Sequence, residues 1–210
     1  MTGIRNSVLA LLIMTVTPLA VSCSPDNDVV PPANPGQANT SSAATQSPRP
    51  TLTDSKLQPP PQDNKYTSST ARPKIVFDPC TWISDETIQR AGFDPTSRKR
   101  GRDLIAEYSF LTCNFSAPLR DLAVDSGNAT WAENLAKVGT YSEPTTVNGR
   151  EALLVRDPEV RRGCQIDVRT KVGFVQIAVD LTDRAARGTD PCAGIQDVAT
   201  AIEPEIGKDN

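Results

Sequence analysis

The sequence predicts an α+β fold for residues 73–210: a twisted antiparallel sheet with helices packed on one side and two disulfides. Three observations predict it. Strand-length segments of alternating polarity follow one another between Leu104 and Leu181 across short turns. Capped helix starts open, interrupt and close that series. Four cysteines lie in this region, downstream of an export signal. About 138 residues suffice for one domain with its own core, and no second domain is expected.

The elements can be justified in chain order. Asp78-Pro79-Cys80 offers an Asp N-cap followed by Pro at the first helical position. Ser84 caps a continuing turn that runs to Gly92, a suitable residue just past a helix end. Arg98-Lys99-Arg100-Gly101-Arg102 then reads as a loop leading into one long strand, Leu104–Ala117, and Asp121–Val124 follows as a second. Thr130 and Glu133 form a capping box for a helix that places Trp131, Leu135 and Val138 on one face and ends at Gly139. Thr145-Thr146-Val147 and Arg150–Arg156 flank Asn148-Gly149, a strong hairpin signal. Asp157-Pro158 marks a turn. Cys164–Arg169 and Gly173–Leu181 alternate and are joined at Lys171-Val172-Gly173. Asp190-Pro191-Cys192 repeats the Asp-Pro-Cys start; Ile195, Ala199 and Ile202 continue its apolar face and Pro204 is expected to end it.

Upstream, residues 1–22 read as a secretory signal: Arg5, an apolar stretch from Val8, then Leu19-Ala20-Val21-Ser22 before Cys23. Cysteine directly after the small residues fits a bacterial lipobox. The expected fate is diacylglycerol attachment to Cys23 and cleavage before it. The apolar stretch, roughly ten residues, is too short to cross a bilayer core of about 30 Å. Attachment to the membrane would therefore rest on lipid, and two or three chains hold firmly where one does not.

Residues 23–72 are expected to be the lipidated cysteine and a disordered tether. They contain nine of the 18 prolines, with Ser, Thr, Asn and Gln filling most of the rest. Such a composition buries too little apolar surface to offset ordering entropy. Its Thr-Ser clusters suit either O-glycosylation or an unmodified spacer.

Composition also excludes function classes. The chain has no histidine, which removes Ser-His-Asp and Cys-His catalysis and His-ligated metals. No P-loop, dinucleotide fingerprint or nucleophile elbow occurs. Without residues 1–22 the chain has 21 basic and 25 acidic side chains, net −4, so no nucleic-acid partner is expected. Neither catalytic residues nor a metal or other cofactor are expected. Cys80, Cys113, Cys164 and Cys192 read as two disulfides, because a four-cysteine zinc site would show closely spaced pairs. Three connectivities are possible. The layout favours 80–113 and 164–192, each closing a loop of about 30 residues, worth roughly 3–4 kcal/mol.

The ordered set Cys23 lipobox, Pro-rich tether, Phe77-Asp78-Pro79-Cys80, Cys113-Asn114-Phe115, Val147-Asn148-Gly149-Arg150-Glu151-Ala152, Cys164 and Asp190-Pro191-Cys192 resembles a family of actinobacterial lipoproteins built on a domain of unknown function. The likeness covers residues 73–210. It implies an extracytoplasmic, lipid-anchored domain and carries no catalytic residues to transfer.

Candidate sites are few. Arg98, Lys99, Arg100 and Arg102 form a possible anion site for phosphate-bearing glycolipid or acidic polymer, with Arg161-Arg162 as a possible extension; the plainer reading is a solvated loop. Trp82 and Trp131 read as core before they read as pocket walls. Asp78 and Asp190 read as caps. The functional expectation is a non-enzymatic module outside the cytoplasmic membrane, binding an envelope protein, glycolipid or polymer. The alternative is a small-ligand or lipid carrier or sensor with a pocket between sheet and helices.

Overall fold

An eight-stranded antiparallel sheet dominates the computed structural model, which describes residues 52–69, 72–208 and 210. Cys23, the signal and residues 24–51 of the tether lie outside the described residues. The strands are β1 (Asp94–Arg100), β2 (Leu104–Ile105), β3 (Ser109–Ser116), β4 (Arg120–Gly127), β5 (Ser142–Val147), β6 (Arg150–Val155), β7 (Gly163–Arg169) and β8 (Phe174–Leu181). Their order is β1-β3-β4-β8-β7-β6-β5, with β2 also on β3.

Alternation explains the central strands. In β3 and β4 the pairs Cys113↔Val124 and Phe115↔Leu122 share one face. In β7 and β8 the pairs Cys164↔Val179, Ile166↔Ile177 and Val168↔Val175 share the same face. These residues are at most 5% exposed, so register is fixed: a slip of one residue would turn every one of them outward. The β5–β6 hairpin turns at Asn148 and Gly149, with φ 49° and 83°, the left-handed pair that a type I′ turn needs. The long strand expected at Leu104–Ala117 is instead two, because the chain folds back at Ala106–Tyr108 and Leu104 pairs with Phe110. The loop expected at 98–102 is mostly strand: β1 pairs with β3 through Lys99↔Asn114 and Arg100↔Cys113.

Helices α2 (Pro79–Trp82), α3 (Asp85–Arg90) and α5 (Ile195–Ile206) pack on the apolar face. Asp78 Oδ1 accepts from the Cys80 and Thr81 amides, and Ser84 Oγ from that of Thr87. Phe77, Ile83, Ile88, Phe115, Leu122, Ile166, Ile177, Ile202 and Ile206 fill this layer at 0–1% exposure. The interior pocket expected between sheet and helices is therefore replaced here by packed side chains. Cys80–Cys113 and Cys164–Cys192 are the disulfides, with Cα separations of 5.0 and 5.1 Å. Each ties a segment at a helix start to a strand, the favoured connectivity.

The second Asp-Pro-Cys departs from expectation. Residues 190–194 make turns, and α5 begins only at Ile195, after Gly194 at φ 74°. Nor does Pro204 end the helix. It has no N–H to donate to the Thr200 carbonyl, and Asn148 Nδ2 donates to that carbonyl instead, at 3.0 Å.

Helix α4 (Trp131–Val138) lies on the opposite face. It packs with Phe174, Leu153, Val155 and Phe110, whose strand positions are out of phase with the apolar layer. Helices α2, α3 and α5 thus cover one face and α4 covers part of the other.

The tether ends earlier than expected. Leu52–Ser69, with α1 at Lys65–Ser69, is a strap on the domain. The Leu52 amide donates to the Thr81 carbonyl at 2.8 Å, and Leu57 packs on the core. Gln62 bridges Ile75 twice, Nε2 to its carbonyl at 2.9 Å and Oε1 from its amide at 2.7 Å. Composition hides this strap because hydrogen bonds to backbone hold it more than apolar burial does.

Candidate functional site

The face of the sheet opposite α2, α3 and α5 is polar along its middle. Thr112 and Asn114 of β3, Ala123 and Asp125 of β4, Gln176 and Ala178 of β8, and Gln165 of β7 are all only half-buried. Asn114 and Gln176 have no side-chain partner among the described residues. At one end a shallow depression of about 180 Å³ is lined by Val155, Gly163, Gln165, Gln176, Ala178 and Asp180.

At the other end α4 roofs a larger pocket of about 350 Å³. Its walls are Leu104, Tyr108, Phe110, Ala129 and Phe174, and Glu133, Asn134 and Lys137 of α4 supply its polar groups. Phe110 and Phe174 meet edge to face with centroids 5.9 Å apart. The wall is close-packed behind: a side chain at Gly127 would collide with the Phe110 ring, and one at Gly173 with the carbonyl oxygens of Gly127 and Ala129. Leu104 and Tyr108 are 49% and 37% exposed, so this apolar wall opens to solvent.

The rim is held by charge. Glu133 accepts from Arg72 at 2.8 and 3.2 Å, from the Tyr108 hydroxyl at 3.0 Å and from the Thr130 amide at 2.7 Å. The Arg72 guanidinium also lies 4.2 Å from the Tyr108 ring centroid. Arg72, and next the Thr130 capping bonds, hold the Glu133 carboxyl well below the usual carboxylate range. The Glu133 bond pushes the Tyr108 hydroxyl up. The capping box is therefore also one wall post of the pocket.

Behind α4 sits Asp167, 0% exposed. It accepts from Asn134 Nδ2 at 2.8 Å and Gln165 Nε2 at 3.0 Å. Burial outweighs these bonds and pushes its carboxyl up to about 6. Burial also raises Asp125, against a hydrogen bond from Thr112. Asp167 fixes the Asn134 amide: with Nδ2 turned to the carboxylate, Oδ1 is left with no partner among the described residues. Lys137 is exposed and makes no hydrogen bond or contact ion pair among them, though its charge acts on Asp167 and partly opposes the effect of burial there.

The candidate residues drawn from sequence fare differently. Ion pairs and strand alternation divide the cluster Arg98, Lys99, Arg100 and Arg102, although Arg98, Lys99 and Arg100 still line one surface depression of about 560 Å³ together with Lys56, Asp54 and Asp85. Arg98 and Arg100 turn to the helix side. Arg98 pairs with Asp85 at 2.7 Å, donates to the Cys80 carbonyl and lies over Phe115. Arg100 binds both Asp78 oxygens at 2.7 and 2.6 Å, Asp103 at 3.1 Å and the Leu57 carbonyl. Only Lys99 and Arg102 remain exposed. Arg161 and Arg162 precede β7, four strands away at about 4.8 Å each, and Arg162 is tied to the Leu181 and Thr182 carbonyls.

Trp82 packs edge-on against Phe77, and Trp131 is buried with its Nε1 donating to Glu151 at 3.0 Å. Asp190 caps Cys192 and pairs with Arg156 at 3.0 Å. Sequence reasoning missed the α4 pocket and Asp167, which alternation marks only as a polar strand position. It also missed a second duty of the Asn148-Gly149-Arg150 turn. Arg150 pairs with Glu203 at 2.8 Å and donates to the Gly207 and Asn210 carbonyls, both at 2.6 Å, clamping the end of α5.

Among the described residues no three potential ligands come together to hold a metal, and no helix is long and apolar enough to cross a membrane. Fold and site define a class: a two-disulfide antiparallel-sheet domain with one packed face and one partly open face bearing a ligand-sized pocket. The chain belongs to the family described as "Protein of unknown function (DUF3558)", whose model matches residues 18–205. No curated protein and no solved structure matches it.

Proposed function

We propose that this protein is a lipid-anchored, non-catalytic binding module on the outer face of the cytoplasmic membrane, and that it binds through the pocket beneath α4. The pocket is the observation that carries the reading. Its volume falls within the range of about 300–1,000 Å³ usual for small-ligand sites, and a few polar groups converge on apolar walls. Support for the anchor comes from the Leu19–Cys23 run, which falls inside the span matched by the family. The carrier reading thus moves from the helix-packed layer to the opposite face.

Two measurements test it. Cys23→Ala should release the protein from membranes or block its processing; unchanged retention would remove the anchor. Native mass spectrometry of residues 24–210, purified from an exporting host without denaturation, should show an adduct of discrete mass. A bare mass from several growth conditions would favour a protein partner on the open face over a small ligand.

A further inference from the structure

Three features of the pocket constrain what fits it. Its body is apolar: the Phe110–Phe174 pair, Leu104, Ala129 and the Tyr108 ring. Of its two charged lining residues, Glu133 is paired with Arg72, while Lys137 has no contact ion pair among the described residues and feels only the longer-range attraction of Asp167, so Lys137 presents the cation at the mouth. Asn134, 4% exposed, lines the pocket with an acceptor oxygen that has no partner among the described residues. The orientation of that amide is set from behind, because an Asp167 carboxylate can only accept and so requires Nδ2.

An acceptor and a cation therefore stand at i and i+3 on one helix face, about 5–6 Å apart at Cβ, above an apolar cleft. A matching ligand has an apolar chain, then an N–H, then a carboxylate. The N–H satisfies Asn134 Oδ1, the carboxylate meets Lys137 Nζ, and the chain lies along Phe110 and Phe174. A simple alcohol would leave Lys137 unanswered. A simple fatty acid would leave the Asn134 oxygen desolvated and unpaired, which is costly in a nearly buried group. A cationic amphiphile would face Lys137 with like charge.

Building on the proposed binding role, we infer that the α4 pocket is a site for an amphipathic secondary-amide carboxylate, of the N-acyl amino acid type, with Asn134 and Lys137 as the residues that select its head. Asn134 and Lys137 choose the ligand; the aromatic pair supplies affinity.

The test is calorimetric titration of residues 24–210, disulfides intact, with N-decanoylglycine below its micellar concentration at pH 7.5. N-decanoylsarcosine (which lacks the N–H), decanoate and decanol are the comparators. Saturable binding is expected, weakened about 5-fold for the sarcosine and decanoate analogues, a neutral hydrogen bond's worth. Lys137→Met, at an exposed position with no contact ion pair among the described residues, should weaken N-decanoylglycine about 5-fold and leave decanol unchanged. Equal affinity for all four amphiphiles, with Lys137→Met inert, would overturn the head-group assignment while leaving an apolar binding site. No binding of any amphiphile by a protein that carries a native adduct would overturn the ligand class and leave the binding module standing. No binding and no adduct would overturn both.

Discussion

The two faces of the sheet are made by the same strands and the same alternation, yet they end in different states. On the helix-covered face, Val124, Ile166, Val168, Val175, Ile177 and Val179 are all 0% exposed. Burying such side chains stabilises by about 1.5–3 kcal/mol each, enough to hold α2, α3 and α5, two of them very short, against the sheet. On the other face the same strands offer Thr112, Asn114, Asp125, Gln165 and Gln176. Covering these with a helix would require a partner for each, so α4 settles only where Phe110, Leu153, Val155 and Phe174 give it apolar footing. What remains open is what the polar residues kept open. Stability resides on one side of this molecule and accessible chemistry on the other.

The largest effect that would break this division is expected at Asp78, on the covered side. Asp78 caps α2 and pairs with Arg100, and both side chains are at most 11% exposed. Asp78→Ala removes a cap worth about 1 kcal/mol and leaves Arg100 with the Asp103 carboxylate and the Leu57 carbonyl. Breaking a buried pair outright costs 3–5 kcal/mol; with Asp103 retained, a loss of about 3 kcal/mol is expected in denaturant unfolding. Asp190→Ala, at the other Asp-Pro-Cys, should cost at most about 1 kcal/mol, because the Asp190–Arg156 pair is half exposed. Equal losses at the two positions would mean that the capping motif, not burial of the ion pair, sets the scale.

That contrast also shows where the sequence stops being informative. The two motifs look alike in sequence, yet one opens a helix against a buried arginine and the other makes a surface turn. The strands around Cys113, Val124, Ile166 and Ile177 were legible because they alternate, and the Asn148-Gly149 hairpin because few residues accept positive φ. β1 was not, since Asp-Pro-Thr-Ser-Arg-Lys-Arg neither alternates nor favours strands. An edge position tolerates its Pro95, and Asp78, Asp85 and Asp103 supply the partners that keep Arg98 and Arg100 inside. The apolar face of α4 was readable at Trp131 and Val138 but not at Leu135, which is 40% exposed while Asn134 takes the buried place; nor was the side of the sheet it would choose. The pocket was out of reach for the same reason: Arg72, Tyr108 and Glu133 meet only through tertiary packing, as do Asn134 and Asp167.

Asp167 tests the open face from within. Its folded carboxyl titrates at about 6, above an unfolded value near 3.9. The protonated form is therefore favoured in the folded state. The stability this group contributes is full below about pH 4 and is lost as pH rises through about 6. Asp167→Asn removes that dependence. The variant's stability, relative to the natural chain, should rise between pH 4 and 7 by on the order of 2–3 kcal/mol, at about 1.4 kcal/mol per unit. Urea midpoints at pH 4, 5, 6 and 7 would show it. A difference independent of pH would mean that water reaches Asp167 and that α4 does not seal it.

The smallest effect gives the sharpest comparison, because it uses adjacent residues of one strand. Ile177 points into the packed layer at 0% exposure, while Gln176 is half-buried on the open face beside Asp125 and Asp167. Ile177→Val should cost about 1 kcal/mol, the usual loss for one buried methylene. Gln176→Ala, which removes a larger side chain that has no partner among the described residues, should change stability by less than about 0.5 kcal/mol. If Gln176→Ala costs as much as Ile177→Val, the middle of the open face is a second core, and binding would have to be confined to the mouth of the α4 pocket. If it is neutral, the polar rows are free to meet a ligand, since folding does not depend on them.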